Sequence, residues 1–232
     1  MSALAEQLSS SDAPFAPASV QRTPAQPTPS ARRSVMGSDV HCLTDFFQDD
    51  VNLAVWRSKP DSAYSGFVLS FIEQSGSLQR FVSIEADEVA DDILPAWARE
   101  LPGADAWLND INTVIDMFRC LFEPAAVGVR LHVLTGTMCP RFHVDRVPAR
   151  LLVTYSGKGT EWLMEDQVIR ADEGTRLPDQ TVNKEDIQVI PTGAVAILKG
   201  ELWDGNEGLG LVHRSPDPEN TPRLVLALDW LS

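Results

Sequence analysis

The sequence predicts an α+β protein in which helices precede an all-β carboxy-terminal half. An amphipathic helix is indicated from about Asp105 to Phe122, where apolar residues recur every three or four positions. After Val127 the chain changes to short β-type runs separated by turn residues, which is typical of an antiparallel sandwich or barrel. This change divides the ordered chain into a helical or mixed support region, residues 39–126, and a β-rich core, residues 127–232.

Local patterns place the other elements. In the support region they predict strands at Val51–Trp56 and around Arg80–Ile84. They also predict helices at Tyr64–Gln74 and near Glu88–Glu100, the second interrupted or kinked at Pro95. The strands predicted in the β-rich core are Val127–Leu134, Arg150–Tyr155, Gln167–Arg170, Ile187–Ile190, Ala194–Leu198, Leu209–His213 and Arg223–Trp230.

The amino-terminal segment, residues 1–38, differs in composition from the rest of the chain. It is dominated by Ala, Ser, Pro, Thr and Gln and has few residues that could build a core. We expect a disordered tail. The arginines within it leave open a docking arm or a weak targeting signal.

The overall charge limits the class of partner. Nineteen basic and 33 acidic residues give a formal net charge of -14, which disfavours nucleic acid and anionic membranes as partners.

Three cysteines without a C-x-x-C pair favour a reducing compartment, and no apolar run is long enough to span a bilayer. We therefore expect a soluble cytoplasmic protein acting on a small molecule or a protein. The acidic balance favours a protein or a cationic metabolite over DNA as substrate.

Two of the four histidines are candidate metal ligands. His143 and Asp145 are two positions apart, so on one strand their side chains point to the same face. His213 follows 70 residues later and completes a set of two imidazoles and one carboxylate. Such a facial triad leaves three positions of an octahedral metal open, as Fe(II) oxygenases require, whereas structural zinc sites use four protein ligands.

The segment from His143 to Trp162 resembles the core of prolyl-hydroxylase-type oxygenases, which depend on Fe(II) and 2-oxoglutarate. It carries the family's motifs in order: the His-x-Asp pair, then Arg150, Thr154, Tyr155 and the Gly157-Lys158-Gly159-Thr160 turn. It departs from the family where Thr154 directly precedes Tyr155 and where Lys158 separates the glycines. The resemblance implies a double-stranded β-helix (jelly roll, cupin-like) with flanking amino-terminal helices.

The resemblance continues downstream. The Val189–Ala194 segment is similar to the family's Pro-x-x-Gly entry into a late strand, and Arg223 follows His213 by ten residues. In the family, a basic residue at that spacing holds the distal carboxylate of 2-oxoglutarate. The resemblance therefore implies Arg223 as the cosubstrate anchor. It also implies that Arg150, Thr154 and Tyr155 line the same pocket.

The ordered chain also resembles a bacterial family of unknown function, numbered 1826 among such domains. The resemblance rests on the His143-Val144-Asp145 segment and on the His-Arg-Ser-Pro run that begins at His213. It implies a link to metal handling, and to zinc homeostasis in particular, without naming a reaction.

Three functional hypotheses remain open from the sequence. The first is an Fe(II)- and 2-oxoglutarate-dependent oxygenase. The second is a non-enzymatic zinc-binding protein of metal homeostasis, in which Cys139, four residues before His143, supplies a thiolate. The third is a metal-free β-barrel interaction module. His41 and His132 are interpreted as structural residues.

Overall fold

The computed structural model describes residues 31–85, 88–170 and 176–231. The strands are β1 (Arg33–Gly37), β2 (Val51–Trp56), β3 (Leu78–Glu85), β4 (Ala126–Leu134), β5 (Ala149–Ser156), β6 (Glu161–Trp162), β7 (Gln188–Val189), β8 (Val195–Lys199), β9 (His213–Arg214) and β10 (Arg223–Leu231). The α-helices are α1 (Ser65–Ser75), α2 (Ala96–Arg99) and α3 (Ala104–Phe122). Within these ranges, no helix is both long and apolar enough to cross a bilayer.

The large sheet has seven strands in the order β1-β2-β8-β5-β10-β4-β3. Its neighbours are antiparallel except for β1 and β2, which run parallel. Strands β2 and β3 come from the predicted support region, yet they pair with β8 and β4 of the predicted core. The two regions therefore share one continuous sheet.

The chain crosses repeatedly between this sheet and a small one. The small sheet has the order β7-β6-β9, and His143 extends it through an antiparallel bridge to His213. In chain order, β4, β5, β8 and β10 lie in the large sheet, and the bridge, β6, β7 and β9 fall between them in the small one. This alternation is a double-stranded β-helix, so the predicted fold class is confirmed.

Side-chain alternation gives the large sheet two different faces. Leu131, Val153 and Leu226 point to a core that also contains the buried face of α3, including Trp107 and Phe118. The alternate residues of the same strands point the other way, toward the small sheet. The helices therefore cover one face, and the opposite face is left to form the interior of the β-helix.

Truncating the centre of the helical core is expected to be costly. Phe118 is fully buried and packs on Phe122 with ring centroids 4.8 Å apart. We expect Phe118→Ala to lower the free energy of unfolding by about 3–5 kcal/mol, because it leaves a cavity in addition to losing apolar burial. Leu69→Ala, at a helix position that is 67% exposed, should change it by less than about 0.5 kcal/mol. Urea unfolding of the two variants measures the difference, and equal effects would contradict the assigned core.

Proline limits one predicted helix. The segment Glu88–Glu100 forms a 3₁₀ turn, Asp91–Ile93, and the short helix α2 rather than a continuous helix. Pro95 lies between them in an extended conformation (φ −64°, ψ 151°), since its ring prevents the preceding turn from continuing. The predicted interruption at Pro95 is therefore confirmed, and the part of the segment before it is a 3₁₀ turn rather than an α-helix.

Other boundaries also change. Residues 33–37, predicted within the tail, form β1 at the edge of the large sheet, whereas residues 1–30 of that tail lie outside the described residues. No strand forms at the predicted Gln167–Arg170 run, because the Gln180 side chain bonds both the amide and the carbonyl of Ile169. Of the predicted Leu209–His213 strand only His213 lies in a strand, the two-residue β9.

Candidate metal centre

The small sheet brings the two predicted histidine ligands side by side. The backbone amides of His143 and His213 each donate to the carbonyl of the other at 3.0 Å. The ring centroids lie 4.6 Å apart as a result. Two residues that are 70 positions apart in sequence are thus fixed as neighbours by main-chain hydrogen bonds.

Each imidazole is also oriented by a nearby carbonyl. Nδ1 of His143 lies 3.0 Å from the carbonyl oxygen of Arg141, and Nδ1 of His213 lies 3.0 Å from that of Leu211. Because a carbonyl only accepts, each Nδ1 carries a proton, and in the neutral ring the lone pair is therefore on Nε2. This is the tautomer that a metal-binding histidine needs.

The third predicted ligand faces these two nitrogens. Asp145 places Oδ1 3.8 Å from Nε2 of His143 and Oδ2 3.4 Å from Nε2 of His213. One ligand atom from each of the three residues lies within 4.8 Å of the others. The donor set of two neutral imidazoles and one carboxylate fits a divalent metal with open coordination positions.

The protonation states suit a cation. Burial tends to raise the pKa of the Asp145 carboxyl, but His213, Arg150 and His143 together hold that pKa well below its usual range. Burial lowers the pKa of His143, and the adjacent His213 lowers it further. An ionised carboxylate beside a neutral imidazole is the state that binds a metal without first releasing protons.

Arg150 holds the carboxylate ligand in place. Its Nη1 donates to Oδ2 of Asp145 at 2.9 Å, and its Nε donates to Oδ1 of Asp229 at 2.6 Å. Asp229 is the cross-strand partner of Arg150 and accepts from Nε of Arg130 at 2.7 Å. A chain of paired charges therefore runs from β4 through β10 and β5 to the candidate metal ligand.

Removing this support should weaken metal binding. We expect Arg150→Met to lower metal affinity about 10- to 100-fold, the range typical for partners that orient a ligand, with partial rescue by Arg150→Lys. Arg214→Met is the matched control, because Arg214 lines the same cavity but donates to Glu161 at 2.7 Å instead. Competition with a chromophoric chelator measures both affinities. Equal losses in the two variants would show that Arg150 has no specific role.

A small cavity adjoins the triad and contains the predicted anchor. Its volume is about 100 Å³, and its lining includes His143, His213, Thr160 and Arg223. Arg223 is only 3% exposed. Its Nη2 donates to Oγ1 of Thr160 at 2.7 Å and to Oγ1 of Thr154 at 3.2 Å.

No carboxylate of the described residues neutralises this guanidinium. Arg223 forms no ion pair there, and its buried Nε lacks a hydrogen-bond partner in the same ranges. Burial lowers the pKa of Arg223 to about 10, which leaves it charged at neutral pH. Because an unpaired buried charge is costly, the arrangement calls for an anion in the cavity.

A match to a family model shows the family of this chain. A family model described as "Protein of unknown function (DUF1826)" matches residues 37–229. The chain belongs to the DUF1826 family. The predicted resemblance to this family is therefore confirmed, and a search of curated proteins found no match.

Solved structures with a similar chain trace are distant from this DUF1826 protein. The dioxygenase for auxin oxidation of rice is 11% identical, with 87% of this chain and 83% of that chain covered and a TM-score of 0.48. The Arabidopsis thaliana dioxygenase for auxin oxidation 1, solved with 2-oxoglutarate, is 13% identical, with coverages of 87% and 92% and a TM-score of 0.45. A Pseudomonas putida prolyl-4-hydroxylase is 8% identical, with coverages of 82% and 98% and a TM-score of 0.43. At these values the fold assignment rests on the sheet topology described above.

One predicted pocket residue of the DUF1826 protein lies elsewhere. Tyr155 is on the helix-facing side of β5, where its hydroxyl donates to Oδ2 of Asp110 at 2.7 Å. Thr154, the adjacent residue, faces the interior and contacts Arg223. Tyr155 therefore does not line the cavity beside the triad, because successive residues of a strand point to opposite faces.

Other residues at the cavity were not predicted. Thr160 binds Arg223, and Arg130 and His132 line the cavity from β4. Alternation was the available signal, since Arg130 and His132 are two apart on an otherwise apolar strand. Cys139 also lines the cavity, but its sulfur is outside the group of ligand atoms that lie within 4.8 Å of one another.

Proposed function

We propose that the protein is an Fe(II)- and 2-oxoglutarate-dependent oxygenase that hydroxylates its substrate. The observation that supports this most is the position of Arg223, a buried guanidinium without a carboxylate partner among the described residues, in the cavity that also contains the two histidines of the triad. The candidate metal site with its open coordination positions and the Arg223 guanidinium, which needs an anionic partner, therefore face the same small cavity. A dicarboxylate that binds a metal at one end satisfies both requirements.

The triad residues would hold the metal. His143 and His213 offer their Nε2 lone pairs and Asp145 offers a carboxylate oxygen. When bound, Fe(II) together with 2-oxoglutarate supplies the activation of dioxygen that hydroxylation needs. Arg150 and Asp229 keep the carboxylate ligand oriented throughout.

The residues around Arg223 would hold the cosubstrate. The hydroxyls of Thr154 and Thr160 fix Nη2, and Nη1, which bonds no described residue, remains for a carboxylate. Leu152, Val225 and Ala227 form part of the cavity wall. Apolar walls exclude water and so strengthen the charge-assisted bonds to the ligand.

A zinc-binding protein is the second candidate function, favoured by Cys139. This cysteine is free, and it lines the metal cavity beside His143. A thiolate ligand would shift the preference toward zinc. The zinc hypothesis, however, gives no role to Arg223. Because all three cysteines are unpaired, we also propose a cytoplasmic location for either function.

Anaerobic spectroscopy separates the two candidates. The protein, loaded with Fe(II), is titrated with 2-oxoglutarate and examined for the weak visible charge-transfer band of the iron chelate. We expect the band in the wild type and in His41→Ala, whose side chain is 86% exposed, and not in His143→Ala. No band, together with tight stoichiometric zinc binding that Cys139→Ser weakens, would reject the oxygenase and support the zinc protein.

A further inference from the structure

A second, larger groove opens beside the metal cavity. Its volume is about 580 Å³, and it shares His143 and Cys139 with the cavity of about 100 Å³. The His143 side chain is 35% exposed, whereas that of His213 is 6% exposed. The candidate metal site is therefore open on the His143 side, and a molecule in the groove would lie next to it.

The charges of this groove oppose the charge of the whole protein. Its lining includes Arg141, Arg146 and Arg176, and among the described lining residues the one acidic side chain is Glu201. The chain as a whole has a formal charge of -14. A cationic groove in an acidic protein concentrates anions locally and repels cations.

The arginines differ in how far they are already neutralised. Nε of Arg141 lies 3.0 Å from Asp179, which is 85% exposed. Among the described residues, no carboxylate lies within 4.0 Å of the guanidinium of Arg146 or Arg176. Both are exposed side chains, so their donors face the groove or the solvent and remain accessible to a ligand.

We propose that the groove binds the substrate of the proposed oxygenase, and that this substrate is anionic, with carboxylate or phosphate groups that pair with Arg146 and Arg176. This inference rests on the proposed function only in calling the bound molecule a substrate, because binding of an anion in the groove needs no turnover. Guanidinium groups suit both anions, since a carboxylate or a phosphate can accept two parallel hydrogen bonds from one guanidinium.

The apolar part of the lining restricts the ligand further. Pro140, Phe142, Val144 and Leu177 share the groove with the arginines. Arg214 lies over the Phe142 ring at 4.3 Å, which fixes that ring at the boundary between the two cavities. A ligand that carries both an apolar portion and an anionic portion matches this lining.

Binding of a labelled hexaglutamate peptide tests the proposal. The protein is loaded with Zn(II) and 2-oxoglutarate, so that the probe does not occupy the inner cavity, and fluorescence anisotropy is measured at low and high salt. We expect the double variant Arg146→Glu and Arg176→Glu to weaken binding at least about tenfold, and salt to weaken it in the wild type. The control is the double variant Arg57→Glu and Lys59→Glu, which makes the same charge change at exposed residues outside the groove lining.

The outcomes are distinct. Loss in the groove variant alone, with no binding of hexalysine, supports the proposal. Competition by inorganic phosphate at the same site assigns the chemistry to phosphate groups as well as carboxylates. Equal loss in both variants, absence of hexaglutamate binding, or equal binding of hexalysine would overturn it. Titration of 2-oxoglutarate into separate Zn(II)-loaded samples of the same variants, without the peptide, reports separately on the proposed function.

Discussion

Replacement of Arg223 by methionine is expected to abolish 2-oxoglutarate binding while the metal site remains intact. Truncating one partner of a buried, hydrogen-bonded charge pair costs about 2–5 kcal/mol, which corresponds to at least about a 30-fold loss of affinity. Methionine fills similar space without a charge. Since Arg223 is 3% exposed and unpaired among the described residues, we expect the variant to be as stable as the wild type or more stable. Calorimetric titration of the Mn(II)-loaded protein measures the affinity.

The control for this prediction is a second arginine of the same cavity. Arg214→Met removes a guanidinium that already donates to Glu161, so 2-oxoglutarate should bind it with nearly wild-type affinity. Thermal unfolding of both variants shows whether each is folded. A folded Arg223→Met protein that binds 2-oxoglutarate as the wild type does would remove the main support for the oxygenase.

Replacement of His213 by alanine is expected to remove specific metal binding. In the proposed metal site the residue supplies one of three ligands, so its loss should exceed the roughly 10- to 100-fold effect expected for a residue that only orients a ligand. The backbone bridge to His143 does not depend on the side chain and should persist in the variant. Chelator competition with Zn(II) and Mn(II) measures the affinity.

His132→Ala is the matched histidine control. His132 lines the same cavity but does not belong to the cluster of His143, Asp145 and His213. Burial lowers the pKa of His132, and the neighbouring arginines Arg130, Arg150 and Arg223 lower it further. We expect its metal affinity to stay near that of the wild type. If His132→Ala and His213→Ala lose affinity to the same extent, the ligand assignment is wrong.

Sequence periodicity predicted the elements that carry the site. The helix expected at Asp105–Phe122 is α3, Ala104–Phe122, and the strand expected at Arg150–Tyr155 is β5, Ala149–Ser156. Each of these two elements has an apolar face with a clear periodicity, and that periodicity defines the side that packs against the core. The short strands β6, β7 and β9 have two residues each, which is too few for a pattern to define their ends.

The candidate site was predicted in part. The two-residue spacing paired His143 with Asp145, and the resemblance of the surrounding motifs, including the ten residues from His213 to Arg223, supported His213 as the third ligand. The role of Arg150 depends on Asp229, which lies 79 positions away, so only the strand register could reveal it. Tyr155 was placed in the pocket although alternation with Thr154 already argued against it.

The most direct test of the account is the structure of anaerobic crystals grown with Fe(II) and 2-oxoglutarate. We expect an anomalous peak roughly 2.0–2.2 Å from Nε2 of His143, Nε2 of His213 and one oxygen of Asp145, typical metal–ligand distances for these donors. We also expect density for 2-oxoglutarate that extends from the metal to Arg223. A metal bound by Cys139 in a closed set of four protein ligands, with no dicarboxylate at Arg223, would contradict it.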